Sequence, residues 1–335
     1  MDQFASGQIH GGSKARSDVT RILQKFGVGR LKIGGKNFAS AAFRAFIIIL
    51  FSFFHPKSTI VAHFPIYNKS AQILVRLMRY RHKLILLVHD IDQARQVMPT
   101  QDISDLRYAS GVMVSGRLDK IAEYEENFPL RRSYLTAWDY LIDITVPTVL
   151  PTANKILFAG SLDQDKSAWI YDTRRTVGLV LSGQGFDRHA GLPVDDFIGS
   201  FNPEQPKFSM EIGWGLVWDG CSIDGLAGPT GTYQRFNQPH KYSLYIAVGL
   251  PIICNTHAAI AQTVSDLGLG ICVESLRDIP SSISALSEDE RMRMIINVRK
   301  VRSFLINGHS LIAAFREMQN SLCAASITGV GLASA

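Results

Sequence analysis

The sequence predicts an α/β protein of two Rossmann-like, doubly wound domains with an interdomain cleft, and three observations carry that expectation. The chain of 335 residues is 46% hydrophobic and 19% charged, which supplies apolar material for two separate cores. Short runs rich in Val, Ile and Leu alternate with helix-length segments along nearly all of it, the pattern of parallel sheets. That alternation lapses once, over residues 142–154, where Pro147 and Pro151 stand among Thr and Val.

The expected domains are therefore 1–150 and 151–300, with 301–335 as a C-terminal helix packing back across both. In the first, strands are expected over 58–62, 84–89 and 111–115, and helices over 13–26, 37–54, 70–81 and 118–127. In the second, 155–159, 177–182, 215–218, 250–254 and 270–273 read as strands. Residues 237–249 read as a helix with Pro239 at its start and Gly249 at its stop, and 258–267 as another capped by Gly268. From Ser287 the pattern is helical nearly to Ser321, and Glu288, Asp289 and Glu290 suit a helix N-terminus.

Composition narrows the function classes. A net charge of +6 suits an anionic partner: a nucleotide, an acidic membrane surface or nucleic acid. No zinc-finger, RNP or basic-helix signature is present, so no nucleic-acid partner is expected. The four cysteines, Cys221, Cys254, Cys272 and Cys323, form no CxxC pair, which predicts neither a zinc site nor a disulfide framework and fits a reducing cytoplasm. The opening residues are polar and glycine-rich, unlike a secretory signal. The most apolar run, 45–54, falls short of the roughly 20 residues that span a bilayer. It reads either as a buried helix or as a membrane-facing patch between Arg44 and Lys57, suited to a lipid-linked acceptor.

Several segments could carry chemistry. A helix opening at Asn237-Gln238-Pro239-His240-Lys241 offers free backbone N–H groups to a diphosphate, with Lys241 adding a full charge; the plainer reading is a capped helix with a solvated lysine. His89-Asp90-Ile91-Asp92 follows a strand at the edge where α/β sheets present catalytic side chains, and a carboxylate there can deprotonate a hydroxyl. A polar strand exit or a metal-binding Asp-x-Asp are the other readings of that segment. Phe158-Ala159-Gly160-Ser161-Leu162, with Lys166 beyond it, is a glycine turn able to approach a phosphate. Gly7, Gly11 and Gly12 before Lys14 and Arg16 read as a flexible phosphate- or acceptor-side loop. Asp219 ends a strand, and the glycine-rich 221–232 after it reads as a mobile lid. Gly-x-Ser-x-Gly, Walker and Gly-x-Gly-x-x-Gly motifs are all missing, so hydrolase, NTPase and dinucleotide dehydrogenase readings lack support.

At these same residues the sequence resembles a family of bacterial glycosyltransferases, the β-1,6-galactofuranosyltransferases of O-antigen synthesis and the related glucosyltransferases that extend glycans on serine-rich adhesins. The resemblance rests on residues Gly12-Ser13-Lys14-Ala15-Arg16-Ser17-Asp18, Val88-His89-Asp90-Ile91-Asp92, Asp139-Tyr140-Leu141 and Phe158-Ala159-Gly160-Ser161-Leu162. Gly215-Leu216-Val217-Trp218-Asp219-Gly220 and Asn237-Gln238-Pro239-His240-Lys241-Tyr242-Ser243-Leu244-Tyr245 complete it.

The resemblance implies a GT-B fold, a UDP-sugar donor, no required metal or cofactor, and inversion at the anomeric carbon. Catalysis is expected from Asp90, His89 and Lys241; donor binding from Gly160, Ser161, Lys166, Asp219, Asn237, His240, Lys241, Ser243, Ala258 and Ala259; and acceptor-side contacts from Gly12, Lys14 and Arg16. Ala258 and Ala259 would let backbone N–H groups approach the nucleotide. Three departures stand out: Tyr242 where the family has threonine, Gln238 for a second asparagine, and Ser115-Gly116 for His-Asn. Overall likeness favours galactofuranose as the sugar, with UDP-glucose as the alternative donor and a non-catalytic nucleotide-sugar-binding partner as the alternative class. The expected partners are the donor and a saccharide acceptor. Peripheral contact with the inner face of the plasma membrane and homo-oligomerisation are both compatible with this cytoplasmic reading.

Overall fold

A computed structural model of the chain describes residues 11–30, 38–55, 57–96, 103–146, 152–187 and 196–328, and these fall into two compact units. The first holds the described residues of 19–136 and of 310–328; the second holds those of 11–18 and of 137–309. The expected boundary at 150 is thus corrected to Thr136. Residues 137–146 pack with the second unit because Ala137 and Tyr140 are buried in its core and Ile142 and Ile144 lie against it. Pro147, Pro151 and Gly7 lie outside the described residues.

The first unit is a parallel sheet of β1 (Thr59–Phe64), β2 (Lys83–Val88), β3 (Gly111–Ser115) and β4 (Arg132–Leu135), paired in that order. β2 reads Leu-Ile-Leu-Leu-Val without alternation because it is covered on both faces, as a central parallel strand must be. β4 has no comparable apolar run and was not expected; Ser133 and Leu135 are buried, but Tyr134 stands half exposed. With α1 (Gly11–Lys25), this half of the chain also forms α2 (Phe38–Phe54) and α3 (Lys69–Met78). Asn68 caps α3 by accepting from the Ala71 N–H at 3.0 Å. The helix expected over 118–127 is instead two short 3-10 turns at Leu118–Lys120 and Glu125–Asn127.

In the second unit β5 (Lys155–Ser161), β6 (Val180–Gln184), β7 (Asp196–Phe197), β8 (Ile212–Val217), β9 (Ile252–Asn255) and β10 (Gly270–Val273) pair in parallel in the order β10-β9-β8-β5-β6-β7. Chain order therefore reverses between β5 and β8, the switch point at which doubly wound sheets bind ligands. The helices are α4 (Gln164–Ser167), α5 (Gly228–Gln234), α6 (His240–Ala247), α7 (Ala261–Asp266), α8 (Ile279–Ser284) and α9 (Glu288–Leu305). α9 opens on a capping box between Ser287 and Glu290, as its acidic start predicts. α10 (His309–Thr328) belongs to the first unit.

The register of β9 and β10 sets Cys254 opposite Cys272, their Sγ atoms 3.6 Å apart, a pairing invisible in their sequence spacing. The segment after Asp219 is not a free lid. Ile223 is fully buried, the Trp218 indole N–H donates to Ser222 O, and Cys221 N–H donates to Ala227 O.

Pairing between β5 and β8 stops at Leu157 opposite Gly215, so the two strands part toward their carboxyl ends. The Tyr245 hydroxyl bridges the opening, accepting from Ala159 N–H at 2.8 Å and donating to Leu216 O at 3.0 Å. Its ring reaches there only because Gly215 has no Cβ; one placed there would lie 2.2 Å from the ring. Tyr245→Phe strands a buried N–H, and is expected to cost about 1–3 kcal/mol, read as an earlier urea midpoint with an unchanged slope.

Candidate functional site

The crevice between β5 and β8 collects residues from four segments of the second unit. Gly160 stands at the end of β5, Lys166 on α4, Asp219 just past β8, and His240 with Lys241 at the start of α6. The segments are tied together by backbone: Gly220 N–H donates to Lys166 O at 2.9 Å, and Ser167 bridges to Gly220. A Cβ on Gly160 would meet the Lys241 chain at 3.7 Å, so the bare glycine leaves that space open.

Lys241 is buried, and its ammonium donates to Asp219 Oδ1 at 2.7 Å and to Trp218 O at 3.1 Å, over the Phe158 ring. Burial pulls its pKa down to about 8 against the opposing pull of Asp219. Asp219 is held in turn: its N–H donates to Gln234 Oε1 at 2.7 Å, while the Gln234 amide donates to Val217 O. Gln234 gave no signal in the sequence, where an isolated glutamine reads as surface.

His240 sits beside two cations. Burial, with Lys14 and Lys166 nearby, drives its pKa down to about 3, so the imidazole is neutral. Its ring stacks on Trp138 with centroids 5.2 Å apart. Trp138 adjoins the Asp139-Tyr140-Leu141 motif, and that adjacency was the available signal.

Helix α6 opens without a side-chain cap. Around that opening Asn237 Oδ1, His240 Nδ1 and Ser243 Oγ are buried with no hydrogen-bond partner. The Lys166 ammonium likewise has no partner among the described residues. Buried polar atoms carry a desolvation penalty unless paired. Three acceptor-capable atoms, a free ammonium and an uncapped helix N-terminus thus form a site ready for an anion that also has groups to donate.

Other expected residues are placed differently. Ser161 Oγ donates to Asp163 Oδ2 at 2.6 Å. The amides of Ala258, Ala259 and Ala261 donate to Asn255 O, Gln234 O and Ala258 O, so these three N–H groups are already engaged, and α7 starts only at Ala261. Tyr242 is a core residue, 1% exposed, rather than a polar substitute for threonine. Ser115 is buried, and Gly116 turns the chain with φ +67°.

The expected acceptor-side loop is the first turns of α1, and the described part of it before Val19 belongs to the second unit. Gly12 is exposed at its start and Arg16 is 5% exposed. Lys14 is 1% exposed and fully engaged: its ammonium donates to both Asp18 oxygens and to Leu141 O, each at 2.6 Å, above the Tyr140 ring. Asp18 accepts from Leu141 N–H as well, closing a buried clamp. The i,i+4 spacing of Lys14 and Asp18 was its sequence signal.

In the first unit His89 and Asp90 follow β2, as expected. Asp90 pairs with Arg95 at 3.2 Å, and His89 Nε2 lies 2.7 Å from His63 Nδ1. His63 was hidden in the apolar β1 run, where a lone histidine reads as core. Among the described residues no group of three or more His, Cys, Asp or Glu is arranged to hold a metal ion.

Comparison with known proteins decides the family. Residues 156–318 match the family described as "Glucosyltransferase 3-like, C-terminal domain", and residues 3–109 match its N-terminal counterpart. The chain belongs to the glucosyltransferase 3-like family of glycosyltransferases. It is 25% identical to the beta-1,6-galactofuranosyltransferase WbbI of Escherichia coli (strain K12), over 75% of this chain and 76% of that protein. To glucosyltransferase 3 of Streptococcus gordonii it is also 25% identical, over 51% of this chain and 50% of that protein. In structure it is similar to a sucrose-phosphate synthase from Thermosynechococcus elongatus, with TM-score 0.54 and 13% identity, covering 89% of this chain and 82% of that one. The fold of this glucosyltransferase 3-like chain is accordingly GT-B, with two Rossmann-like domains. It is a transferase, and it has no helix among the described residues long and apolar enough to cross a membrane.

Proposed function

We propose that this family member is an inverting, metal-independent glycosyltransferase that moves galactofuranose from UDP to a saccharide acceptor in the synthesis of a bacterial surface glycan. The observation that carries the donor side is the unsatisfied polar shell around the start of α6, lying at the switch point of a doubly wound sheet. The α6 amides, Lys166 and Lys241 stabilise charge developing on the departing diphosphate, the role a metal plays in other transferases. Asn237, His240 and Ser243 accept or donate hydrogen bonds to the same ligand. Asp90 takes the acceptor proton, with His89 held beside it by His63. The length of the match to a galactofuranosyltransferase supports the sugar. The family description supports UDP-glucose as a second reading of the same site.

A calorimetric screen with UDP, UDP-galactofuranose, UDP-galactopyranose and UDP-glucose tests this reading. Binding of UDP with preference for UDP-galactofuranose is expected; preference for UDP-glucose replaces the sugar, and a flat response to all four overturns the donor.

The lowered pKa of Lys241 gives a further expectation. The cation contacts the diphosphate, and in the free protein it is lost as pH rises through about 8. Bound phosphate favours the cation, so binding near that pH takes up a proton. UDP affinity is expected to be flat below pH 8 and to weaken about tenfold per unit above it. Titrations in buffers of different ionisation enthalpy check this, and a pH-independent affinity without proton uptake removes Lys241 from the contact.

A further inference from the structure

Helix α2 was open to two readings, buried or membrane-facing, and its exposure separates them. Ile48 and Ser52 face the protein: Ile48 packs on Leu74 and Met78, and Ser52 Oγ meets His82 Nε2 at 2.6 Å. On the other side Phe43, Phe46, Ile47, Leu50, Phe53 and Phe54 are between 43 and 68% exposed. They recur every three to four residues, so they form one continuous apolar stripe on a helix that packs on its neighbour α3. The neighbouring α3 turns Ile73 and Leu77 to solvent too. So large an exposed apolar surface marks an interaction site.

Charge identifies the partner. Residues 19–89 contain twelve of the 35 Lys and Arg and none of the Asp and Glu, so the rest of the chain is net negative. At the C-terminal end of the stripe the Arg81 guanidinium lies 5.6 Å from the Phe53 ring centre, and Arg79 lies over Tyr80, itself 73% exposed. Aromatic side chains bordered by arginine suit the boundary between acyl chains and anionic headgroups. A second copy docking on the same face would bring the basic residues of two copies together, Arg79 and Arg81 among them, which like-charge repulsion opposes.

We propose that α2 and the adjoining part of α3 form a docking surface for an anionic lipid bilayer, on which α2 lies flat with its apolar stripe in the headgroup region and the arginines on the phosphates. The inference is independent of the donor assignment, since no nucleotide takes part.

The test is co-sedimentation of the full chain with vesicles of equal parts phosphatidylglycerol and phosphatidylcholine, and with phosphatidylcholine alone. Binding is expected to the anionic vesicles and to weaken as salt is raised. Phe46→Gln with Phe53→Gln is expected to weaken it by at least about tenfold. Arg79→Gln with Arg81→Gln is expected to weaken it about fivefold per charge and to flatten the salt dependence. Phe46, Phe53 and Arg81 are exposed and Arg79 is half-buried, and an unchanged thermal midpoint confirms that both variants fold. The proposal is overturned if the wild-type chain stays in the supernatant with anionic vesicles, or if the phenylalanine pair binds as tightly as wild type. It is equally overturned if sedimentation without lipid shows a stable dimer that Phe46→Gln with Phe53→Gln converts to monomer.

Discussion

Lys241→Met is expected to lower kcat/KM by roughly 100- to 1,000-fold, because it removes the buried cation that meets charge developing on the leaving diphosphate. The same substitution leaves Asp219 as an uncompensated carboxylate, 4% exposed, and is expected to cost about 3–5 kcal/mol of stability. The two effects separate in a second variant. Adding Asp219→Asn neutralises the stranded acid, so Lys241→Met with Asp219→Asn should unfold close to the wild-type midpoint while staying inactive. With Asp219→Asn alone as the remaining corner, the double-mutant cycle separates the stability loss of the pair from the rate loss of each residue. Activity that returns along with stability would show that Lys241 only braces the β8 exit.

The second large effect is expected from Asp90→Asn. A carboxylate that takes the acceptor proton supplies roughly 100- to 10,000-fold in rate, and its amide cannot accept that proton. Turnover should fall by that factor while UDP affinity, measured by calorimetry, stays within about twofold of wild type, because every donor-contacting residue proposed above belongs to the other unit. His89→Gln is the control. If turnover survives in Asp90→Asn and collapses in His89→Gln, the base is the histidine of the His63–His89 pair.

Much of the architecture was legible because it depends on short-range patterning. Unbroken apolar runs such as 84–88 and 252–254 have no solvated face to show, and they became central parallel strands. Ser287 with Glu290 announced the start of α9, and Gly249, with φ +81°, marked the end of α6. Local pattern failed where an element is held by its surroundings. β4 completes its sheet by pairing with β3 despite a polar sequence, and 118–127 has helical composition but only two isolated turns.

For the candidate site, the sequence by itself determined the residues at the sheet's carboxyl edge: Gly160, Asp219, and His240 with Lys241 at a helix opening. Their positions follow from strand and helix ends, which local chemistry marks. Only the tertiary structure decided what each is paired with. It committed Lys14 to Leu141, joined Lys241 to Asp219, stacked His240 on Trp138, and left Asn237, His240 and Ser243 with unanswered polar atoms. It also engaged the Ala258, Ala259 and Ala261 amides in backbone hydrogen bonds and turned Phe43, Phe46, Phe53 and Phe54 of α2 outward. Pairing and exposure arise from contacts between segments tens to more than a hundred residues apart, and no periodicity within one segment encodes which distant partner will desolvate it.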